Sequence, residues 1–329
     1  MKVLIIGSAG MLGQKLLSKL IDLGKLKGEE IRKIELFDVN KTQIQKAENI
    51  KITAKKGNLL NNRLIKALII SKPDVIFHLA AIVSGQAEAE FDLGWDINTK
   101  ATWDLFENIR SIGNGYRPKL VFTSSIAVFG APFPSKINDE FFTTPLTSYG
   151  NQKVVSELLL SDYSRKAIID GISIRLPTIC VRPGKPNLAA SGFFSGIIRE
   201  PLNGVEAILP VSTEVRHWFA SPRSAINFLI HAAEIDTKKL NNRITLNMPG
   251  LSATVQEQID SLKRIAGKNI TKLIKQKLDP KIERIVGSWA KNLETKRSIE
   301  LGFKAEKTFD EIIKIYIEED FKNKLFVEN

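Results

Sequence analysis

The sequence has a single cysteine, Cys180, so no internal disulfide is available to it. A lone thiol suits a reducing cytoplasm, which is the expected location. Histidine is almost as scarce. His78, His217 and His231 are the only three, none at metal-ligand spacing, and no metal site is expected. No apolar run approaches the roughly 20 residues of a membrane span. Strand-like residues already begin at position 3, so no signal peptide is expected either. Internal repeats and low-complexity linkers are also missing. Acid is in deficit: Lys and Arg number 48 against 36 Asp and Glu, a net charge of +12. The lysines are scattered over expected helix surfaces. The largest excess, Lys263 to Lys281, is interleaved with apolar residues and lacks the aromatic stacking positions of a nucleic-acid binder. The expectation is a solvated basic surface with no nucleic-acid or membrane partner, mildly attractive to anionic cofactors and acids. A content of 43% hydrophobic and 26% charged residues fits a globular chain.

What is present starts at once. Lys2 to Gly13 reads KVLIIGSAGMLG. Val3 to Ile6 is an uninterrupted apolar run, the pattern of a strand buried on both faces of a parallel sheet. Gly7, Gly10 and Gly13 follow, and then Gln14 to Leu23 reads as an amphipathic helix. The first glycine permits a tight turn, the second a close approach of backbone to a pyrophosphate, the third close packing of helix on strand. The helix start offers N–H groups and a positive dipole end to phosphates. A second buried strand, Ile34 to Phe37, ends at Asp38, about 25 residues beyond the glycines. A carboxylate there binds both ribose hydroxyls of an adenosine and repels a 2′-phosphate, so NAD is expected over NADP.

Further strands are expected at Ile50 to Ala54, followed by Gly57-Asn58-Leu59, and at Pro73 to Ala81, where the small Ala80-Ala81 pair lets backbone lie against a flat ligand. His78 on that strand reads as a packed core histidine. The helix expected over Asp96 to Ile109 carries Asn98, within reach of the loops around the cofactor. Lys119 to Ser124 is a fifth strand with hydroxyls at its end. This alternation predicts an α/β fold, a doubly wound parallel Rossmann sheet with helices on both faces. Ligands in such sheets lie outside the C-terminal strand ends, where Gly7, Asp38, Ala80 and Ser125 fall.

Tyr149-Gly150-Asn151-Gln152-Lys153 precedes a helical run, Val154 to Tyr163. Residues four apart share a helix face, so Tyr149 and Lys153 are expected as neighbours. An ammonium beside a phenol stabilises the phenolate and brings the tyrosine toward working pH as a base. Ser125 can then polarise the reacting oxygen.

Together these motifs, Gly7-x-x-Gly10-x-x-Gly13, His78-Leu79-Ala80-Ala81, Thr123-Ser124-Ser125-x-Ala127-Val128-Phe129-Gly130 and Tyr149-x-x-x-Lys153, resemble the NAD-dependent epimerase/dehydratase group of extended short-chain dehydrogenases/reductases. The resemblance covers essentially the whole chain and is most specific over residues 1–235. It implies Tyr149 as general base, Lys153 lowering its pKa and Ser125 polarising substrate. It implies NAD held by Gly7, Gly10, Met11, Leu12, Gly13, Asp38, Asn58, Leu59, Ala80, Asn98, Tyr149 and Lys153. Asn98 in that group organises the proton path or the backbone of the site. A homodimer through the helices near Asp96 and Tyr149 is implied as well.

Two positions depart from the group's pattern. Asn58 stands where an Asp usually meets the adenine amino group, and Phe129 replaces a frequent Tyr. The group's dehydratases place an Asp-Glu pair just after the catalytic hydroxyl residue; Ile126-Ala127 stands here, which disfavours dehydration. Residues 79–95, 175–201 and 215–227 resemble a branch of the group that oxidises small sugar acids. That implies oxidation of a 2-hydroxyl, with an arginine fork for the carboxylate. Arg182 and Arg216 are the candidates, Arg216 preferred, with Ser84, Ser125, Tyr149 and Thr178 as further substrate contacts. Arg175 is expected to brace the sixth strand. The alternatives are a uronate or other sugar-acid dehydrogenase, a nucleotide-sugar epimerase, and a non-catalytic NAD-sensing module.

From Cys180 the strand–helix alternation loosens and Pro183, Gly184, Pro186 and Gly192 crowd together. The expected division is a Rossmann domain over 1–179 with a return over about 215–247, and a smaller mixed substrate domain over 180–214 and 248–329. Gly192-Phe193-Phe194 is read as core rather than as a lid.

Overall fold

The computed structural model describes residues 1–184 and 190–321; Pro186 lies outside them. Two compact units result. The first contains Met1–Val128, Thr147–Arg175 and Ile226–Leu246. Its strands are β1 (Lys2–Ile6), β2 (Lys33–Asp38), β3 (Lys51–Lys56), β4 (Val75–His78), β5 (Lys119–Ser125), β6 (Asp170–Leu176) and β7 (Thr245–Asn247). They form one seven-stranded sheet in the order β7-β6-β5-β4-β1-β2-β3. The pairs β1–β2, β2–β3, β1–β4 and β4–β5 are parallel. Val3, for instance, sits between Ile34 and Val75. Val3 to Ile6 are fully buried, as expected for a strand covered on both faces. The chain order reverses at β1, which lies between β2 and β4. That reversal makes the carboxyl ends of β1 and β4 the ligand-binding edge of such a sheet.

The helices of this unit are α1 (Met11–Leu23), α2 (Asn62–Ile70), α3 (Ser84–Ala89), α4 (Phe91–Trp95), α5 (Ala101–Ile112) and α6 (Ser148–Arg165). Leu16, Leu17 and Leu20 bury one face of α1, which ends on a left-handed Gly24. In α6 the Thr147 side chain caps the start by accepting the N–H of Gly150 at 3.1 Å. The single helix expected over 96–109 is two elements: a π-helical turn over Asp96–Lys100 that runs into α5.

The second unit contains Phe129–Leu146, Leu176–Ala225 and Asn247–Asn329. Its three-stranded sheet places Arg216–Ala220 between Leu251–Thr254, antiparallel, and Thr178–Ile179, parallel. A second pair joins Ala207–Leu209 to Ile274–Gln276. Phe194, Ile197, Ile198, Phe219, Leu262, Ile312 and Ile313 are at its core. Phe194 is fully buried and stacks on His217, which makes it a core aromatic. The sequence division kept 129–146, 176–179 and 215–225 with the larger domain. All three fall in the second unit, because Ile137 bridges Leu293 and Arg216–Ala220, with Thr178–Ile179 beside it, is the middle strand of that unit's own sheet.

Candidate active site

The glycine loop between β1 and α1 is specified by contacts that tolerate no side chain. Gly7 has φ +93°, and a Cβ there would come within 2.5 Å of the Ala80 backbone nitrogen. A Cβ on Gly13 would lie 2.3 Å from the Gly7 carbonyl oxygen. Gly10 differs. Its Cβ would meet no protein atom nearer than 3.5 Å, so the chain's own packing does not require glycine there. Glycine there leaves the face of the loop open for a group to lie directly against it. Met11, Leu12 and Gly13 make the first turn of α1, which has no side-chain cap and no acid. Its N–H groups and positive dipole end are therefore left for an anion. The loop thus fits the pyrophosphate of a dinucleotide.

Asp38 anchors the loop from the end of β2. Its Oδ2 accepts the N–H of Ala9 at 2.9 Å, and its Oδ1 that of Asn40 at 2.8 Å. Each carboxylate oxygen keeps a further lone pair for a ribose hydroxyl. Ser8 and Thr42 share a buried hydroxyl pair at 2.7 Å, which ties the loop to the segment after β2. Asn58 is exposed, and its Oδ1 already accepts the N–H of Leu60 at 2.9 Å, while Leu59 is buried beside it. Only the second lone pair of that oxygen is left for an adenine amino group.

The structure brings Tyr149 and Lys153 together on α6. The Lys153 ammonium lies 5.6 Å from the Tyr149 ring centroid and 4.7 Å from that of Phe122. It donates to the Thr123 carbonyl at 2.8 Å and is almost wholly buried. Burial pushes its pKa down to about 8, against the opposing pull of Glu157. Glu157 itself is held by Arg175 in a two-pronged ion pair at 2.9 and 2.7 Å and by the Ser124 hydroxyl. Ser125 ends β5, where its Oγ accepts the N–H of Ala127 at 3.1 Å. His78 is buried, hydrogen-bonded to Thr102 at 2.9 Å and pushed down to about 3, chiefly by burial, so it stays neutral.

Asn98 acts on the backbone of the site. Its Oδ1 accepts the N–H of Ile82 at 2.8 Å; its Nδ2 donates to the Ile82 carbonyl at 3.1 Å and to Gln152 at 2.7 Å. With those bonds made, the side chain pins the loop after β4. Ser84 is the first residue of α3 and half-buried.

The remaining candidates lie in the second unit. Thr178 shares a 2.6 Å hydrogen bond with His217. Arg182 donates to the Ile179 carbonyl at 2.9 Å and to Ser191 Oγ at 2.7 Å. Arg216 pairs with Glu257 at 3.3 Å and donates to the Ser252 carbonyl at 3.2 Å. Sequence reading passed over Glu157, although it lies one further turn along the Tyr149–Lys153 face. Glu88 and Gln152, which touch this site through α6, gave no local signal. Among the described residues no group of His, Cys, Asp and Glu is placed to hold a metal ion, and no helix is long and apolar enough to cross a membrane.

Comparison with known proteins agrees with this geometry. The model of the NAD dependent epimerase/dehydratase family matches residues 3–236. The chain is 42% identical over 323 residues to a D-erythronate dehydrogenase of Cupriavidus necator, covering 97% of this chain and 98% of that protein. It is 41% identical over 320 residues to a D-erythronate dehydrogenase of Haemophilus influenzae, covering 97% and 100%. Among solved structures, one described as a nucleoside-diphosphate-sugar epimerase from Agrobacterium tumefaciens superposes with a TM-score of 0.95 at 54% identity, covering 97% of this chain and 94% of that one.

Proposed function

The chain belongs to the NAD dependent epimerase/dehydratase family, and from that premise we propose that it oxidises the 2-hydroxyl of D-erythronate to the 2-oxo acid. The observation that carries this reading is the buried Lys153 ammonium set beside the Tyr149 ring. It is supported by the near-complete coverage of two relatives named D-erythronate dehydrogenase. Bound NAD supplies the two-electron acceptor for the C2–H bond. Tyr149, as phenolate, takes the hydroxyl proton, and Lys153 holds the phenolate charge. Ser125 hydrogen-bonds the oxygen as it becomes a carbonyl. Gly7, Gly10 and the first turn of α1 hold the pyrophosphate, and Asp38 the adenosine ribose. Leu59 and Ala80 offer apolar surface to the rings.

For the substrate carboxylate we prefer Arg182 to Arg216. Beside the Arg216 guanidinium stands the Glu257 carboxylate, whose like charge would repel a second carboxylate. Ser84 and Thr178 are assigned to the remaining hydroxyls. We place the enzyme in the cytoplasm, in carbohydrate metabolism. We further propose a homodimer through α5 and α6, whose Trp103 and Leu158 are exposed; light scattering at micromolar concentration tests it, a monomer counting against it.

One observation favours a second reading. The 54%-identical solved structure is described as a nucleoside-diphosphate-sugar epimerase. NADH absorbance with a panel of four-carbon acids, six-carbon acids and nucleotide sugars separates the two. D-Erythronate should give the highest kcat/KM. Turnover of nucleotide sugars without any free acid would end the dehydrogenase reading.

A further inference from the structure

Helix α6 carries Tyr149 and Lys153, and the segment after β4 holds it one residue ahead of each. Ahead of Lys153, Gln152 is fully buried and accepts from Asn98 at 2.7 Å. It packs so tightly on α4 that a Cβ on Gly94 would come within 2.6 Å of its amide nitrogen. Ahead of Tyr149 the hold includes an exposed group: Glu88 on α3 accepts the backbone N–H of Ser148 through Oε2 at 2.9 Å.

The first N–H groups of a helix have no acceptor within it, and a carboxylate there also meets the positive end of the dipole. Helices commonly supply that acid themselves, but the first turn of α6 contains none. Thr147 serves Gly150. The Ser148 N–H is left to a residue from another element. On α3, whose Ala87 is buried, Glu88 stands four residues after Ser84, so the two share a helix face.

We propose that Glu88 is a positioning residue for Tyr149: by holding the Ser148 N–H it fixes the first turn of α6, and with it the place of the phenol relative to Ser84. This rests on the reading of Tyr149 as the base. Glu88 acts through Ser148 and touches no reacting atom itself.

Three variants of the full chain test it. Glu88→Ala removes the acceptor, Glu88→Gln keeps an acceptor oxygen without the charge, and Glu90→Ala removes a neighbouring exposed acid. Glu88→Ala should lower kcat about tenfold, the scale of a small misplacement at a reacting centre, with the NAD dissociation constant unchanged and the melting temperature lowered by no more than about 3 °C, the scale of a lost helix cap. Hydrogen exchange at the start of α6 should quicken by a similar factor. Glu88→Gln should restore most of both, and Glu90→Ala should match the wild type. Unchanged kcat and unchanged exchange in Glu88→Ala would overturn the proposal. So would an equal loss in Glu88→Gln, or an equal loss in Glu90→Ala. Exchange is read without substrate, so an inactive wild type would sink the D-erythronate reading and still leave the positioning role decided.

Discussion

Replacing Lys153 by Met should stabilise the fold while removing activity. The ammonium is almost wholly buried, and its pKa falls from 10.5 to about 8 because burial disfavours the charged form. At 1.36 kcal/mol per unit this shift corresponds to about 3 kcal/mol of destabilisation at neutral pH. Methionine has similar length and no charge to desolvate. It also leaves the Thr123 carbonyl without its 2.8 Å donor, a loss of roughly 1–2 kcal/mol for a buried acceptor. The net gain is about 1–2 kcal/mol, or a melting temperature higher by roughly 2 °C. Glu157 keeps Arg175 and Ser124 as partners, so no second charge is stranded.

The sign with pH follows from the direction of the shift. Below pH 8 the lysine is charged in both folded and unfolded chains, and its full penalty applies. Between about 8 and 10.5 the folded chain binds fewer protons than the unfolded one, so wild-type stability rises with pH relative to the variant. Thermal denaturation of both proteins from pH 6.5 to 10 should therefore show the variant's advantage largest below pH 8 and shrinking above it. A variant less stable than wild type at pH 7, or an advantage independent of pH, would refute the reasoning.

Tyr149→Phe should lower kcat by about 10²–10⁴-fold, the usual share of a positioned base, while NAD affinity measured by calorimetry stays close to wild type; near-normal turnover would dismiss the general-base role. Asp38→Ala should narrow the preference for NAD over NADP in kcat/KM, since the carboxylate that repels a 2′-phosphate is gone; an unchanged ratio would speak against its ribose contact. Arg182→Met should raise KM for D-erythronate at least tenfold, while Arg216→Met, which breaks an exposed pair worth about 0–1 kcal/mol, should leave KM within about twofold. The reverse pattern would return the carboxylate to Arg216.

The parts of the site that were legible in the sequence are those set by local rules. Gly7 and Gly13 are dictated by backbone that passes within a few residues or at the neighbouring strand end, and the Tyr149–Lys153 pairing follows from helix geometry alone. The doubly wound sheet followed from the alternation of strands with helices. What stayed hidden depends on distant partners. The short helices α3 and α4 are too brief to show a 3.6-residue period, and the π-helical turn at 96–100 has the same apolar spacing as an ordinary helix start. Asn98 was legible as a site residue, but its role is set by Ile82 and Gln152, 16 and 54 positions away. The Arg216–Glu257 pair likewise spans 41 residues and joins a strand to a helix that no local pattern connects.

The most direct measurement uses D-erythronate carrying deuterium at C2, mixed with the enzyme and NAD under single-turnover conditions, with the cofactor then recovered for mass spectrometry. Oxidation at C2 predicts reduced cofactor one mass unit heavier, formed one for one with the 2-oxo acid. Unlabelled reduced cofactor would place the oxidation at another carbon, and no reduced cofactor at all, alongside epimerised nucleotide sugar in a parallel reaction, would contradict the account.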